Sequence, residues 1–128
     1  MQTKAKLTRV YIVDDDASVR NALKRLLKSV DIETEVFSET NDFLASDYKL
    51  KAHCLLLDVH ILGGSGFELK ERLDSSGSKL PVIFMTAHDN EETRRKAKNL
   101  GAFAYLQKPF EDHRLINTIN KAVRRQES

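Results

Sequence analysis

The chain has 128 residues, near the commonest size of one domain, and 41% of them are apolar, enough for one ordinary core. Its 21 basic and 19 acidic residues leave a net charge of +2, which gives no support for nucleic-acid binding, and no apolar run is long enough to span a bilayer. The lone cysteine, Cys54, excludes an internal disulfide, and the charged start lacks an apolar stretch of signal-peptide length, so a reducing cytoplasm is the expected compartment.

The predicted elements alternate along the chain. A strand near 8–13, Val10-Tyr11-Ile12-Val13, ends at Asp14-Asp15. A helix near 17–29 follows, with Val19, Ala22, Leu23, Leu26, Leu27 and Val30 at helical spacing and Asp16 or Ser18 placed to cap it. A strand near 32–37 leads to a helix near 39–47. The strand near 53–57, Cys54-Leu55-Leu56-Leu57, ends at Asp58. The glycine-rich turn Gly63-Gly64-Ser65-Gly66 comes next, then a helix near 65–75. The strand near 81–85, Val82-Ile83-Phe84-Met85, ends at Thr86.

The fourth helix, near 89–100, is almost wholly polar. Only Ala97 and Leu100 are expected to be buried, and Gly101 suits its C-terminal cap. So narrow an apolar face predicts weak anchoring. The fifth strand, near 103–107, ends at Lys108-Pro109. A fifth helix near 111–125 opens on Glu111-Asp112 and spaces Leu115, Ile116, Ile119, Ala122 and Val123 along one face. Five strand–helix units imply right-handed crossovers and a parallel sheet covered on both faces.

In such a sheet all strand C-termini open on one edge, where ligands bind. That edge would collect Asp14, Asp15, Asp58, Thr86 and Lys108. Adjacent acids must take up protons or bind a cation, and oxygen-only ligands favour magnesium, calcium or manganese. Asp58, beside a turn that lets backbone approach a ligand, is placed to accept a phosphoryl group as an acyl phosphate. Lys108 would offset phosphoryl charge as a point charge, and Thr86 offers a hydroxyl donor. Lys108-Pro109 is a candidate cis peptide. His53 and His113 show no metal-ligand spacing.

The motif order Asp14-Asp15, Asp58, Thr86-Ala87 and Lys108-Pro109-Phe110, with Tyr105 between the last two, resembles the receiver domain of two-component response regulators. Ile12-Val13-Asp14-Asp15-Asp16, the glycine-rich turn and Gly101-Ala102-Phe103-Ala104-Tyr105-Leu106 are most similar to receivers of the nitrogen-fixation-regulator type, which usually precede a helix-turn-helix domain. The resemblance covers about 9–123 of a single domain, 1–128. It implies a flavodoxin-like, doubly wound α/β fold with strand order 2-1-3-4-5 and five helices. It makes Asp58 the phosphoacceptor. Asp15, Asp58 and the backbone carbonyl of His60 become direct magnesium ligands, with manganese a possible substitute, and Asp14 acts through water. Thr86 and Lys108 bind phosphoryl oxygens, Thr86 and Tyr105 form the switch, and His60 and His88 flank the site as rim residues. One departure is Ile61-Leu62, where the family commonly has Met-Pro, which leaves the loop after Asp58 without its rigid turn.

The resemblance implies a phosphorelay signalling switch that catalyses its own phosphoryl transfer and slow dephosphorylation, not a turnover enzyme. A sensor histidine kinase would be the donor. Transcription would be controlled through an attached DNA-binding domain, and a homodimer could form through the fourth helix, fifth strand and fifth helix. No nucleic acid or membrane partner is expected for this domain itself. A stand-alone receiver or phosphorelay shuttle is the alternative. A magnesium-dependent aspartyl phosphatase is less favoured, because its usual second acid position is His60. A flavodoxin-like flavin binder is opposed by the acid cluster.

Overall fold

The computed structural model describes residues 7–62 and 64–127. The charged start and Gly63 of the glycine-rich turn lie outside the described residues, as does Ser128. In chain order the elements are β1 (Arg9–Val13), α1 (Ala17–Lys28), β2 (Glu33–Phe37), α2 (Thr40–Leu44), α3 (Tyr48–Lys51), β3 (Cys54–Asp58), β4 (His60–Ile61), β5 (Gly64–Ser65), α4 (Gly66–Ser75), β6 (Val82–Thr86), α5 (Glu91–Asn99), β7 (Ala104–Gln107) and α6 (Asp112–Glu127). Five of these strands form one sheet in the order β2-β1-β3-β6-β7, with every pair parallel. Counted by sheet strand, that is the expected order 2-1-3-4-5.

Side-chain alternation divides each strand between two cores. Val10, Ile12, Cys54, Leu56, Ile83, Met85 and Leu106 pack with Leu23 and Leu27 of α1 and with Leu115, Ile119 and Ala122 of α6. Tyr11, Val13, Leu55, Leu57, Val82 and Phe84 face the other way, onto Phe43, Tyr48, Phe67, Leu69, Leu73 and Ala97. The three central strands are buried on both faces, which is why they read as unbroken apolar runs. Burial pushes the Cys54 thiol up to about 12, so it stays a neutral packing group.

Three local expectations need correction. The second helix is two short helices, not one. Asp47 accepts a hydrogen bond from the Tyr11 hydroxyl, Ser46 turns back to the Phe43 carbonyl, and Tyr48 stacks on Phe43 at 4.5 Å. These contacts bend the chain between α2 and α3. The described residues thus hold six helices, and a small hairpin, β4–β5, that the periodicity did not suggest. In α1, Ala22 is exposed and only Leu23 and Leu27 are buried, and Val30 lies exposed beyond the helix end. Asp16 caps α1 by accepting from the Ser18 and Val19 N–H groups, as expected.

Candidate functional site

Strands β1, β3, β6 and β7 each deliver a polar group to the carboxyl edge. Asp14 follows β1 and is fully buried. Its Oδ1 accepts from the Asp16 N–H at 2.9 Å, and its backbone carbonyl accepts from Arg20 Nη1 at 2.7 Å. Asp58 ends β3, and its Oδ1 accepts from the His60 N–H at 3.1 Å. Asp15 is exposed beside them. One carboxylate oxygen from each of Asp14, Asp15 and Asp58 lies within 4.8 Å of the others.

Lys108 reaches across from the end of β7. Its Nζ donates to Asp14 Oδ2 at 2.7 Å and to Asp58 Oδ2 at 3.3 Å. The Lys108–Pro109 peptide is cis. Burial raises the Asp58 carboxyl above the usual aspartate range, and the Asp14 charge adds to it. The His60 N–H and Lys108 oppose the shift without cancelling it. Burial alone would lower Lys108, but its bond to Asp14 and the two carboxylate charges outweigh burial, so its ammonium is held more firmly than in water. The edge is therefore an acid cluster neutralised in part by one internal cation.

The remaining predicted residues surround this cluster. Thr86 is fully buried at the end of β6, where its Oγ1 accepts from the His88 N–H at 3.0 Å. Phe84 pairs with Tyr105 and Thr86 with Gln107, so Thr86 and Tyr105 project from the same face of the sheet. Tyr105 is half-buried and donates its hydroxyl to Asp89 Oδ1 at 2.9 Å, away from the acids. The rings of His60 and His88 meet above the edge. His53 and His113 lie elsewhere: His53 Nδ1 accepts from the Arg9 N–H, and exposed His113 sits beside Glu111.

Sequence reading missed three supports. Arg20, one turn into α1, anchors the Asp14 backbone. Asp89 lies before α5, not within it, and holds both Tyr105 and Arg94; Asn90 is the actual cap, accepting from the Thr93 N–H. Gly66 serves packing. A Cβ there would sit 2.3 Å from the Asp58 carbonyl oxygen, so only glycine lets α4 start against the end of β3. The loop after Asp58 is tied by pairing of His60 with Ser65 and Ile61 with Gly64, with Leu62 81% exposed at its tip.

Residues 10–120 match the family described as the response regulator receiver domain. The chain is 38% identical over 114 residues to the transcriptional regulatory protein TdiR of Thauera aromatica, covering 89% of this chain and 50% of that protein. It is 36% identical over 118 residues to FixJ of Bradyrhizobium diazoefficiens, covering 92% of this chain and 58% of that protein. The chain thus spans about half the length of these curated relatives. Among solved structures, full-length FixJ from B. japonicum superposes with a TM-score of 0.84 at 36% identity, covering 91% of this chain and 58% of that one. A receiver protein from Burkholderia phymatum gives 0.79 at 40% identity, covering 91% and 94%. No helix among the described residues is long and apolar enough to cross a membrane. With the family match running through every strand of the sheet, the chain belongs to the response regulator receiver domains of two-component signalling.

Proposed function

We propose that this receiver accepts a phosphoryl group from a sensor histidine kinase on the carboxylate of Asp58. The observation that carries the reading is the convergence of Asp58 with Asp14, Asp15 and Lys108 at one sheet edge. Asp14, Asp15 and Asp58, with the backbone carbonyl of His60, would hold magnesium, or manganese in its place. Hard oxygen donors within 4.8 Å of one another suit such an ion, and none of the three is a soft ligand. When bound, the ion offsets negative charge on the transferring group.

The chain's own groups perform the rest. An oxygen of Asp58 attacks phosphorus in line as the P–N bond to the kinase histidine breaks. The electron pair goes to the imidazole nitrogen, which then takes a proton. Lys108 is already positively charged and within 3.3 Å of Asp58, so it can follow the developing phosphoryl charge. The buried Thr86 hydroxyl turns from the His88 N–H towards a phosphoryl oxygen. Movement of Thr86 frees space on the face shared with Tyr105, which turns inward and shifts the population of α5–β7–α6 arrangements.

That face carries exposed Arg94, Arg95, Lys96, Glu111, Asp112 and Arg114, a mixed-charge surface suited to a symmetric dimer. We place the whole of 1–128 in one receiver unit that catalyses its own phosphorylation and slow dephosphorylation. The names of TdiR and FixJ as transcriptional regulatory proteins support transcriptional output, which we assign to a DNA-binding domain attached to the receiver. Incubation with magnesium and acetyl phosphate should add one phosphate, lost in alkali, and Asp58→Asn should fold yet remain unlabelled. Full labelling of Asp58→Asn overturns the assignment.

A further inference from the structure

Two imidazoles at the rim have no part in the chemistry above. His60 stands two residues beyond Asp58 and His88 two beyond Thr86, on loops leaving the adjacent strands β3 and β6. Both residues are exposed, and their rings meet at 5.5 Å between centroids with an interplanar angle of 75°. Both backbones are pinned from below. The His60 N–H donates to Asp58 Oδ1 at 3.1 Å and the His88 N–H to Thr86 Oγ1 at 3.0 Å. The two rings therefore meet at a steep angle, carried on fixed backbone positions.

We infer that His60 and His88 form a bis-imidazole site for a borderline divalent transition ion, zinc foremost, separate from the carboxylate cluster. Zinc–imidazole bonds are about 2.0–2.1 Å, so an ion held tetrahedrally by one nitrogen of each ring sets the ring centres about 5–5.5 Å apart. The observed spacing falls at that value. Imidazole selects zinc, copper or nickel over magnesium, which keeps to oxygen donors. An ion there ties the loop carrying Asp58 to the loop carrying Thr86. Two protein ligands leave the other positions open to water or a small anion. The inference depends on the ring pair alone and stands whether or not Asp58 accepts phosphate.

The test is a titration of the full chain with zinc chloride in excess magnesium, which keeps the carboxylates occupied. Calorimetry reads stoichiometry and affinity, and imidazole proton–nitrogen NMR identifies the ligands. One zinc should bind, shifting the His60 and His88 ring signals together and leaving those of His53 and His113 unmoved. His60→Ala and His88→Ala should each weaken binding by about tenfold or more, and His113→Ala should not. Zinc binding unchanged in both variants, ring signals that do not move, or no zinc bound under these conditions would each overturn the site. The ring-shift measurement needs no variant, so it decides the matter even if a substitution disturbs folding.

Discussion

Helices α1 and α5 flank the same sheet but are held by different forces. Helix α1 inserts Leu23 and Leu27 into the core and lays half-buried Val19 and Leu26 against it. Helix α5 buries Ala97 alone, with half-buried Leu100 at its end. Its other ties are polar or mixed: Arg94 to Asp89 at 3.0 Å, and the Lys96 ammonium over the Phe67 ring at 5.2 Å. Apolar burial is non-directional and hard to undo a little at a time, whereas exposed polar ties exchange with water at small cost. The contrast teaches where this domain can change shape. Helix α1 is anchored, and α5 can be re-tethered. The same division separates the sheet's apolar floor from its charged carboxyl edge.

The largest expected effect lies on the anchored side. Leu27→Ala should cost about 2–5 kcal/mol in denaturant unfolding, while Arg95→Ala on α5 should stay within about 0.5 kcal/mol. Hydrogen exchange sharpens the same point, with α5 amides exchanging well before those of α1. Equal protection of the two helices would break the comparison.

At the charged edge, Lys108→Met should cost about 1–3 kcal/mol without metal, because Asp14 and Asp58 then face each other with no ammonium between them. Magnesium should restore part of that loss. A variant as stable as the parent in metal-free buffer would show that Lys108 acts on the incoming phosphoryl group alone.

Asp58→Asn should work in the opposite direction. The Asp58 carboxyl is raised in the fold, so the folded state binds its proton more tightly than the unfolded chain does. Ionised Asp58 therefore costs stability once the pH is above the folded pKa, and the cost disappears below the unfolded value. At neutral pH and without metal, Asp58→Asn should melt about 1–5 °C higher, with the gain shrinking as the pH falls towards about 4. A gain that grows on acidification would contradict the burial argument.

The smallest effect is expected at the tether between the two regions. Asp89→Ala removes a partner from both Tyr105 and Arg94 and should cost less than about 1 kcal/mol. Its signature is spectroscopic. Burial first, and the Asp89 carboxylate second, push the Tyr105 hydroxyl up to about 12, so phenolate absorbance in the variant should appear at lower pH. An unmoved titration would show that burial alone sets the Tyr105 environment.

Much of the fold was legible because its signals are local. Unbroken apolar runs reveal strands buried on both faces, and a polar residue at the end of each run marks one sheet edge. The ends of those runs therefore assign Asp14, Asp15, Asp58, Thr86 and Lys108 to one edge, and the polar sequence of α5 announces its narrow apolar face. What the tertiary structure alone decided are contacts between residues far apart in sequence. The break between α2 and α3 depends on the Tyr11 hydroxyl meeting Asp47. The need for glycine at Gly66 depends on the Asp58 carbonyl lying where a Cβ would go. The Asp89–Tyr105 tether and the meeting of the His60 and His88 rings depend on segments from different strands coming together. Periodicity and propensity encode which face of an element is apolar. The partners of its polar groups follow from sheet order and register, which no single segment of the chain contains.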